Sequence, residues 1–315
     1  EGRRDNKYKA RIKILVKETG VEEFRNKVEA EWQAVKDGPM TLTSQEIERC
    51  RSFFHDPAYK DLPARSDRLQ QSLARDVLFA AWYQQNVSAH KKSGYGIVTV
   101  CVKKTGFAPG DLDSDQMRFI ADMADRFSFG EMRITHTQNL VLADVELDQL
   151  HDLWQALKTH DLEADNLGLL SDMICCPGGD FCALANAKSI PVAESIQRRF
   201  DHQTLRDIGA LSLNISGCMN ACGHHHVGNI GILGVDKKGE EFYQVSLGGS
   251  ADNETALGKI VGPAFSQDEI PDVVEKIVNV YKQQRADNEV FLNTFNRIGL
   301  EPFKMALYGD KSQSR

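Results

Sequence analysis

Five of the seven cysteines in this 315-residue chain fall within one 48-residue window: Cys175, Cys176, Cys182, Cys218 and Cys222, with Cys50 and Cys101 standing apart. Two pairs organise the window. Cys176-Pro-Gly-Gly-Asp-Phe-Cys182 is a C-x5-C and Cys218-Met-Asn-Ala-Cys222 a C-x3-C, with 35 residues between them. Four thiolates arriving as two pairs suit a [4Fe–4S] cluster, which takes one cysteine sulfur per iron. Pro177, Gly178, Gly179, Gly217 and Gly223 flank the pairs, and glycine lets main-chain N–H groups come close to sulfur. Zinc is the weaker alternative, because its knuckles use closer pairs; uncoordinated thiols are the third reading. An odd, clustered set does not suit an oxidised secreted scaffold. Cys175, beside a candidate ligand, reads as a buried spare thiol.

The rest of the composition narrows the classes. Asp and Glu number 45 against 38 Lys and Arg, for a net charge of −7, and no cationic cluster dominates, so neither nucleic acid nor an anionic membrane is an expected partner. No apolar run approaches the roughly 20 residues that span a bilayer, and the opening residues are charged with no apolar stretch behind them. A soluble, cytoplasmic protein is expected. The chain begins at Glu1 without an initiator Met, as a processed chain or a piece of something longer would. Sequons at Asn86, Asn214 and Asn253 read as chance matches.

Along the chain, apolar residues at helical spacing from Asn6 to about Val35 predict one or two amphipathic helices. A less regular region follows to Lys92, punctuated by Asp37-Gly38-Pro39, His55-Asp56-Pro57 and Leu62-Pro63, with Leu69 to Trp82 readable as helix or strand. Gly96 to Val102 is a β-branched strand, Ser114 to Phe127 a helix with Ser114 as its cap, Met132 to Val145 two strand pieces, and Asp148 to His160 a helix. Strand, helix, strand, helix is an α+β unit of ferredoxin-like size. Farther on, Cys182 to Phe200 reads as an Ala-rich helix, Leu211 to Ser216 as a strand, and Val227 to Val235 with Glu241 to Leu247 as a hairpin. Ser266 to Gln283 is an amphipathic helix with a Ser266/Glu269 capping box. No repeat of 20–50 residues is visible. Gly228, Gly231 and Gly234 lie inside an alternating strand and do not make a nucleotide loop.

These motifs together resemble the C-terminal half of the sirohaem-dependent sulfite and nitrite reductases. MRITHTQNLVLADV is similar to that family's strand pair with its R-x-T-x-x-Q-N core, SGCMNACG to its cysteine turn, and YQVSLGG to its sheet segment ending in Gly-Gly. The opening DNKYKARIKILVKETGVEEFRNKVE resembles the helical segment that closes the family's first half, so the likeness covers nearly the whole chain. Met219 replaces a common proline, and His224, His225 and His226 stand where many relatives carry other polar residues. Three successive histidines would suggest a metal, but on a strand they alternate faces, and one is expected to bind a carboxylate or serve structure.

The resemblance implies three parts: 1–92, a helical and irregular segment from the end of the first half; 93–164, a ferredoxin-like domain; and 165–315, a mixed α/β domain for sirohaem and a [4Fe–4S] cluster. It implies Cys176, Cys182, Cys218 and Cys222 as cluster ligands, with Cys222 also bridging to the sirohaem iron and so standing in the catalytic position. Asn220, Arg133, Thr135, Gln138, Asn139 and Arg118 are implied as sirohaem contacts, the alternative for Arg118, and for Lys103 and Lys104, being an ordinary solvated face. The implied activity is six-electron reduction of sulfite to sulfide, or alternatively of nitrite to ammonia, with electrons from a ferredoxin or flavoprotein. The missing N-terminal half would supply most of the basic residues around the oxyanion, so the chain alone is expected to be poorly active. An iron–sulfur electron-transfer fragment is the reading from another class.

Overall fold

The computed structural model describes residue 5 and residues 10–309; the predicted helix start at Asn6 lies outside them. The chain divides into two compact units, Glu1–Lys60 and Asp61–Arg315.

The first unit holds α1 (Ile12–Thr19), α2 (Val21–Val35) and α3 (Ser44–Arg51). Gly20, at φ +88°, joins α1 to α2 in a backbone conformation that glycine adopts without strain. None of the three helices buries a residue. The third lies in the stretch read from sequence as irregular. It is held by local devices: Thr43 caps the Glu46 N–H, and Glu46–Arg49 and Glu48–Arg51 pair one turn apart.

The second unit opens with α4 (Asp67–Arg75) and α5 (Val77–Asn86), two helices separated by the Asp76 cap. There follow β1 (Val87–Ala89), β2 (Tyr95–Val100), α6 (Ser114–Phe127), β3 (Arg133–Ile134), β4 (Leu140–Glu146) and α7 (Leu150–Lys158). The strands form an antiparallel sheet in the order β1-β2-β4-β3. Phe79, Trp82, Val98, Ile120, Leu142 and Leu153 pack a core between sheet and helices. The cap of α6 is Asp113, one residue before the predicted Ser114, in a full capping box with Gln116.

The remaining elements are β5 (Ile174–Cys175), α8 (Ile190–Gln197), α9 (His202–Ile208), β6 (Leu213–Ser216), β7 (Ile230–Lys237), β8 (Glu240–Leu247), β9 (Lys259–Ile260), α10 (Ile270–Gln284), α11 (Phe291–Ile298) and α12 (Glu301–Tyr308). Their sheet runs β5-β6-β7-β8-β9, parallel across the first three strands and antiparallel beyond. Val192, Ile215, Ile232, Val245, Ile277, Phe291 and Phe303 share its core. The predicted helix from Cys182 shrinks to α8: residues 182–189 are drawn into contact with a neighbouring loop, as described below, which a continuous helix would forbid. The Ser266/Glu269 capping box forms as expected, before a short 3-10 turn that leads into α10. Among the described residues no helix is long and apolar enough to cross a membrane.

Candidate iron–sulfur site

Strands β5 and β6 lie side by side and parallel, and each runs directly into one cysteine pair. The carboxyl ends of parallel strands are where open α/β sheets place their ligands. Cys176 extends the ladder past β5, its N–H donating to the Ile215 carbonyl at 3.1 Å. Gly178 then turns the chain at φ +59°, and the Cys182 N–H donates back to the Gly178 carbonyl at 2.9 Å. Beyond β6, the Ala221 N–H closes on the Cys218 carbonyl at 3.1 Å, with Ala221 at φ +58°.

The two loops interlock through their main chains. Asn186 and Ala187 both donate N–H groups to the Gly217 carbonyl, at 2.9 and 3.0 Å, and Gly179 donates to the Ala187 carbonyl at 2.9 Å. A Cβ on Gly217 would lie 2.7 Å from the Ala187 oxygen and 2.9 Å from the Gly178 Cα. Gly217 is therefore required by a backbone-on-backbone approach. Its N–H points at the Cys176 sulfur, 3.0 Å away, and the Ser189 hydroxyl lies 3.5 Å from the same atom. Cys176 and Cys218 are buried, Cys182 is half-buried and Cys222 is exposed.

This donor set fits a cluster. Four sulfurs sit on two loops locked at adjacent strand ends, and one already receives a main-chain N–H, the kind of hydrogen bond that tunes iron–sulfur centres. Among the described residues no three His, Cys, Asp or Glu side chains form a site for a single metal ion; a [4Fe–4S] cluster instead takes one cysteine sulfur at each of four irons. Burial pushes the Cys175 thiol well above its ordinary range, with Cys176 beside it adding to the effect. The thiol donates to the Cys176 carbonyl at 3.3 Å.

The other named residues divide by location. Asn220 is exposed between Cys218 and Cys222, next to Met219, which is 77% exposed. Arg133 is exposed on β3 and paired with Glu131 at 2.7 Å; Arg118 is exposed on α6 and paired with Asp115 at 3.0 Å. Thr135 donates to the Asn139 carbonyl at 3.1 Å. With Gln138, Met117 and Ile134 it lines a groove of about 440 Å³.

Gln138 and Asn139 make hydrogen bonds within the protein as well as lining this groove. Gln138 bonds both main-chain groups of Cys175, and Asn139, fully buried, donates to Asp172 at 3.0 Å and accepts the Val102 N–H at 3.2 Å. Lys103 is likewise no solvated residue: it is fully buried, 2.7 Å from Asp172, and donates to the Thr137 carbonyl. Lys104 is half-buried between Asp161 and Glu163. Nothing in the sequence spacing signals Asp172 or Ser189.

The three histidines do not alternate along a strand; 225–227 form a 3-10 turn entered through His224 at φ +55°. His225 is buried with its Nδ1 unpartnered, and burial, with His226 beside it, pushes its pKa down to about 4, so the ring is neutral at pH 7.

Comparison with known proteins gives the same address. The nitrite and sulphite reductase 4Fe-4S domain matches residues 1–36 and 170–314, and the nitrite/sulfite reductase ferredoxin-like half domain matches 90–160. The chain is 24% identical over 306 residues to the chloroplastic ferredoxin–nitrite reductase of Arabidopsis thaliana, covering 91% of this chain and 45% of that one. It is 25% identical over 303 residues to sulfite reductase [ferredoxin] 2 of Mycolicibacterium paratuberculosis, covering 92% and 47%. The structure of the Mycobacterium tuberculosis NirA protein superposes with a TM-score of 0.63 at 23% identity, over 96% of this chain and 50% of that chain. The chain thus spans about half the length of the curated relatives it matches. With one family domain matching both its opening hairpin and its cysteine loops, the chain belongs to the nitrite and sulphite reductase family, whose cofactors are a [4Fe–4S] cluster and sirohaem.

Proposed function

We propose that this chain is the cluster-bearing half of a sirohaem-dependent oxidoreductase that reduces sulfite to sulfide. The interlocked loops carry the reading: Cys176, Cys182, Cys218 and Cys222 at adjacent parallel strand ends, with the Gly217 N–H on the Cys176 sulfur. Those cysteines would hold the cluster, and Cys222 and Asn220, both exposed, would meet the sirohaem. When bound, the cluster and sirohaem supply one-electron steps and an iron site for the oxyanion.

The chain's own residues hold the sulfurs, direct a main-chain dipole at one of them, and exclude water from the buried pair Cys176 and Cys218. Arg133 and Arg118 offer exposed positive charge to an anionic cofactor. Relatives named as ferredoxin-dependent support a ferredoxin-type donor, and a first half supplied before residue 1 would complete the oxyanion pocket. On this reading 1–92 ends that first half, 93–164 is the ferredoxin-like domain and 165–315 holds the cofactors. Nitrite is the alternative substrate, because relatives of both names match equally well.

Anaerobic purification with iron, acid-labile sulfide and an absorption spectrum tests the reading. About four iron and four sulfide per chain, plus a sirohaem spectrum with its additional iron, is the expected result. Zinc instead of iron, or no metal after reconstitution with iron and sulfide, overturns it. Turnover of sulfite and nitrite with a reduced viologen dye then ranks the two substrates.

A further inference from the structure

β5 is an edge strand, paired with β6 on one side only. On its open side the main-chain groups of Cys175 meet a side chain instead of a strand: Gln138 Nε2 donates to the Cys175 carbonyl at 2.8 Å, and the Cys175 N–H donates to Gln138 Oε1 at 2.9 Å. The Gln138 amide thus reproduces one rung of a β-ladder. Gln138 itself sits at φ +59°, a left-handed conformation uncommon for a residue with a side chain. Gly110 leaves it room, since a Cβ there would lie 3.1 Å from the Gln138 Cβ.

A second contact lies three residues upstream. Asp172 accepts from Lys103 Nζ at 2.7 Å, from Asn139 Nδ2 at 3.0 Å, from the Cys101 thiol at 3.5 Å and from the Gly168 N–H at 2.8 Å. Residues 172 and 175 are therefore both gripped by the ferredoxin-like part, through the end of β2 and the turn before β4. The next residue is Cys176.

Resting on the reading of Cys176 as a cluster ligand, we infer that Gln138, backed by the Asn139–Asp172–Lys103 contacts, is a positioning residue for that sulfur. Cys176 receives its orientation from two sides: β6 and Gly217 within its own domain, and Gln138 from the other. Partners behind a metal ligand fix its direction and are commonly worth about tenfold or more in metal retention.

The test compares the anaerobically isolated holoprotein with its Gln138→Leu and Gln138→Glu variants. Glutamate keeps the bond accepted from the Cys175 N–H and loses the one donated to its carbonyl. Readouts are iron and sulfide content, the rate of iron loss to a ferrous chelator, and the electron paramagnetic resonance spectrum of the reduced cluster. Expected for Gln138→Leu is roughly tenfold faster iron loss with altered g values, and for Gln138→Glu an intermediate rate. If folded variants show a lower unfolding midpoint but wild-type iron retention and spectrum, Gln138 only seals the seam and the inference falls. If Gln138→Leu does not fold, Gln138→Glu decides alone. A wild-type protein without a cluster would instead sink the underlying functional reading, an outcome distinct from either.

Discussion

The α1–α2 and α11–α12 hairpins carry the same pattern, yet only the second is seated. Ile12, Val16, Gly20, Val21, Glu22, Phe24 and Val28 correspond in order to Phe291, Phe295, Gly299, Leu300, Glu301, Phe303 and Leu307. Both hairpins turn on a glycine at positive φ, +88° at Gly20 and +74° at Gly299. Phe291, Phe295 and Phe303 are buried in the core with Tyr281, whereas Ile12 is 71% exposed and Trp32 55%. A helix pattern specifies which face will be apolar, and the partner decides whether that face is buried. Short helices owe most of their stability to such packing, so the two hairpins should differ widely in the cost of the same mutation.

The largest effect tests that difference directly. Phe303→Ala removes a fully buried ring and should cost about 3–5 kcal/mol, while Phe24→Ala, on a half-exposed residue, should cost under about 1 kcal/mol. Denaturant unfolding of both variants measures it, and equal losses would break the comparison. Joined to the proposed first half, Phe24→Ala should rise toward the cost of Phe303→Ala.

A pair of glycines separates packing from backbone strain. Gly248, at φ +82°, is the first of the two glycines that close the YQVSLGG motif, and an added Cβ would lie 2.0 Å from a ring carbon of Phe295. Gly299→Ala would meet no atom within 4 Å. We expect Gly299→Ala to cost about 1–2 kcal/mol from the left-handed backbone alone, and Gly248→Ala about 1–3 kcal/mol more because a packed ring must shift. Equal losses in thermal unfolding would show that α11 yields, and that its seating is looser than the buried rings indicate.

What could be read from the sequence follows the same divide. Periodic features were legible: α6, α10, the β7–β8 hairpin and the amphipathic stretch of α1 and α2, because their patterns repeat every two or three to four residues. The cysteine pairs stand out in the sequence as well, since their spacing is visible without context. Interactions between distant parts of the chain were not. Residues 182–189 carry an Ala-rich helical composition, but the Ala187 and Asn186 N–H groups bond Gly217. The amides of Gln138 and Asn139 bond Cys175 and Asp172, partners far away in the sequence. Lys103 looked like surface until Asp172 came within 2.7 Å. The hairpin correspondence was hidden because nearly the whole chain separates the two copies.

The smallest effect concerns a lock present in only one hairpin. Glu289 accepts from Arg297 at 2.5 and 3.0 Å, from the Ala286 N–H at 3.0 Å and from the Thr294 hydroxyl at 2.8 Å. The Arg297 guanidinium foremost, with the Ala286 N–H, holds its pKa down to about 2. An unfolded Glu titrates near 4.3, so the folded pKa is the lower one. The stabilisation is then present in full above the unfolded pKa and is lost as pH falls through the folded value. Glu289→Gln should flatten the acid side of the stability curve between about pH 4.3 and 2 without changing its shape at neutral pH, as followed by unfolding midpoints across that range. In α1–α2 the matching positions are Ala10 and Glu18, which form no such pair. Acid sensitivity unchanged by Glu289→Gln would mean that the second hairpin is held by its rings alone, and that burial accounts for the whole difference between the two.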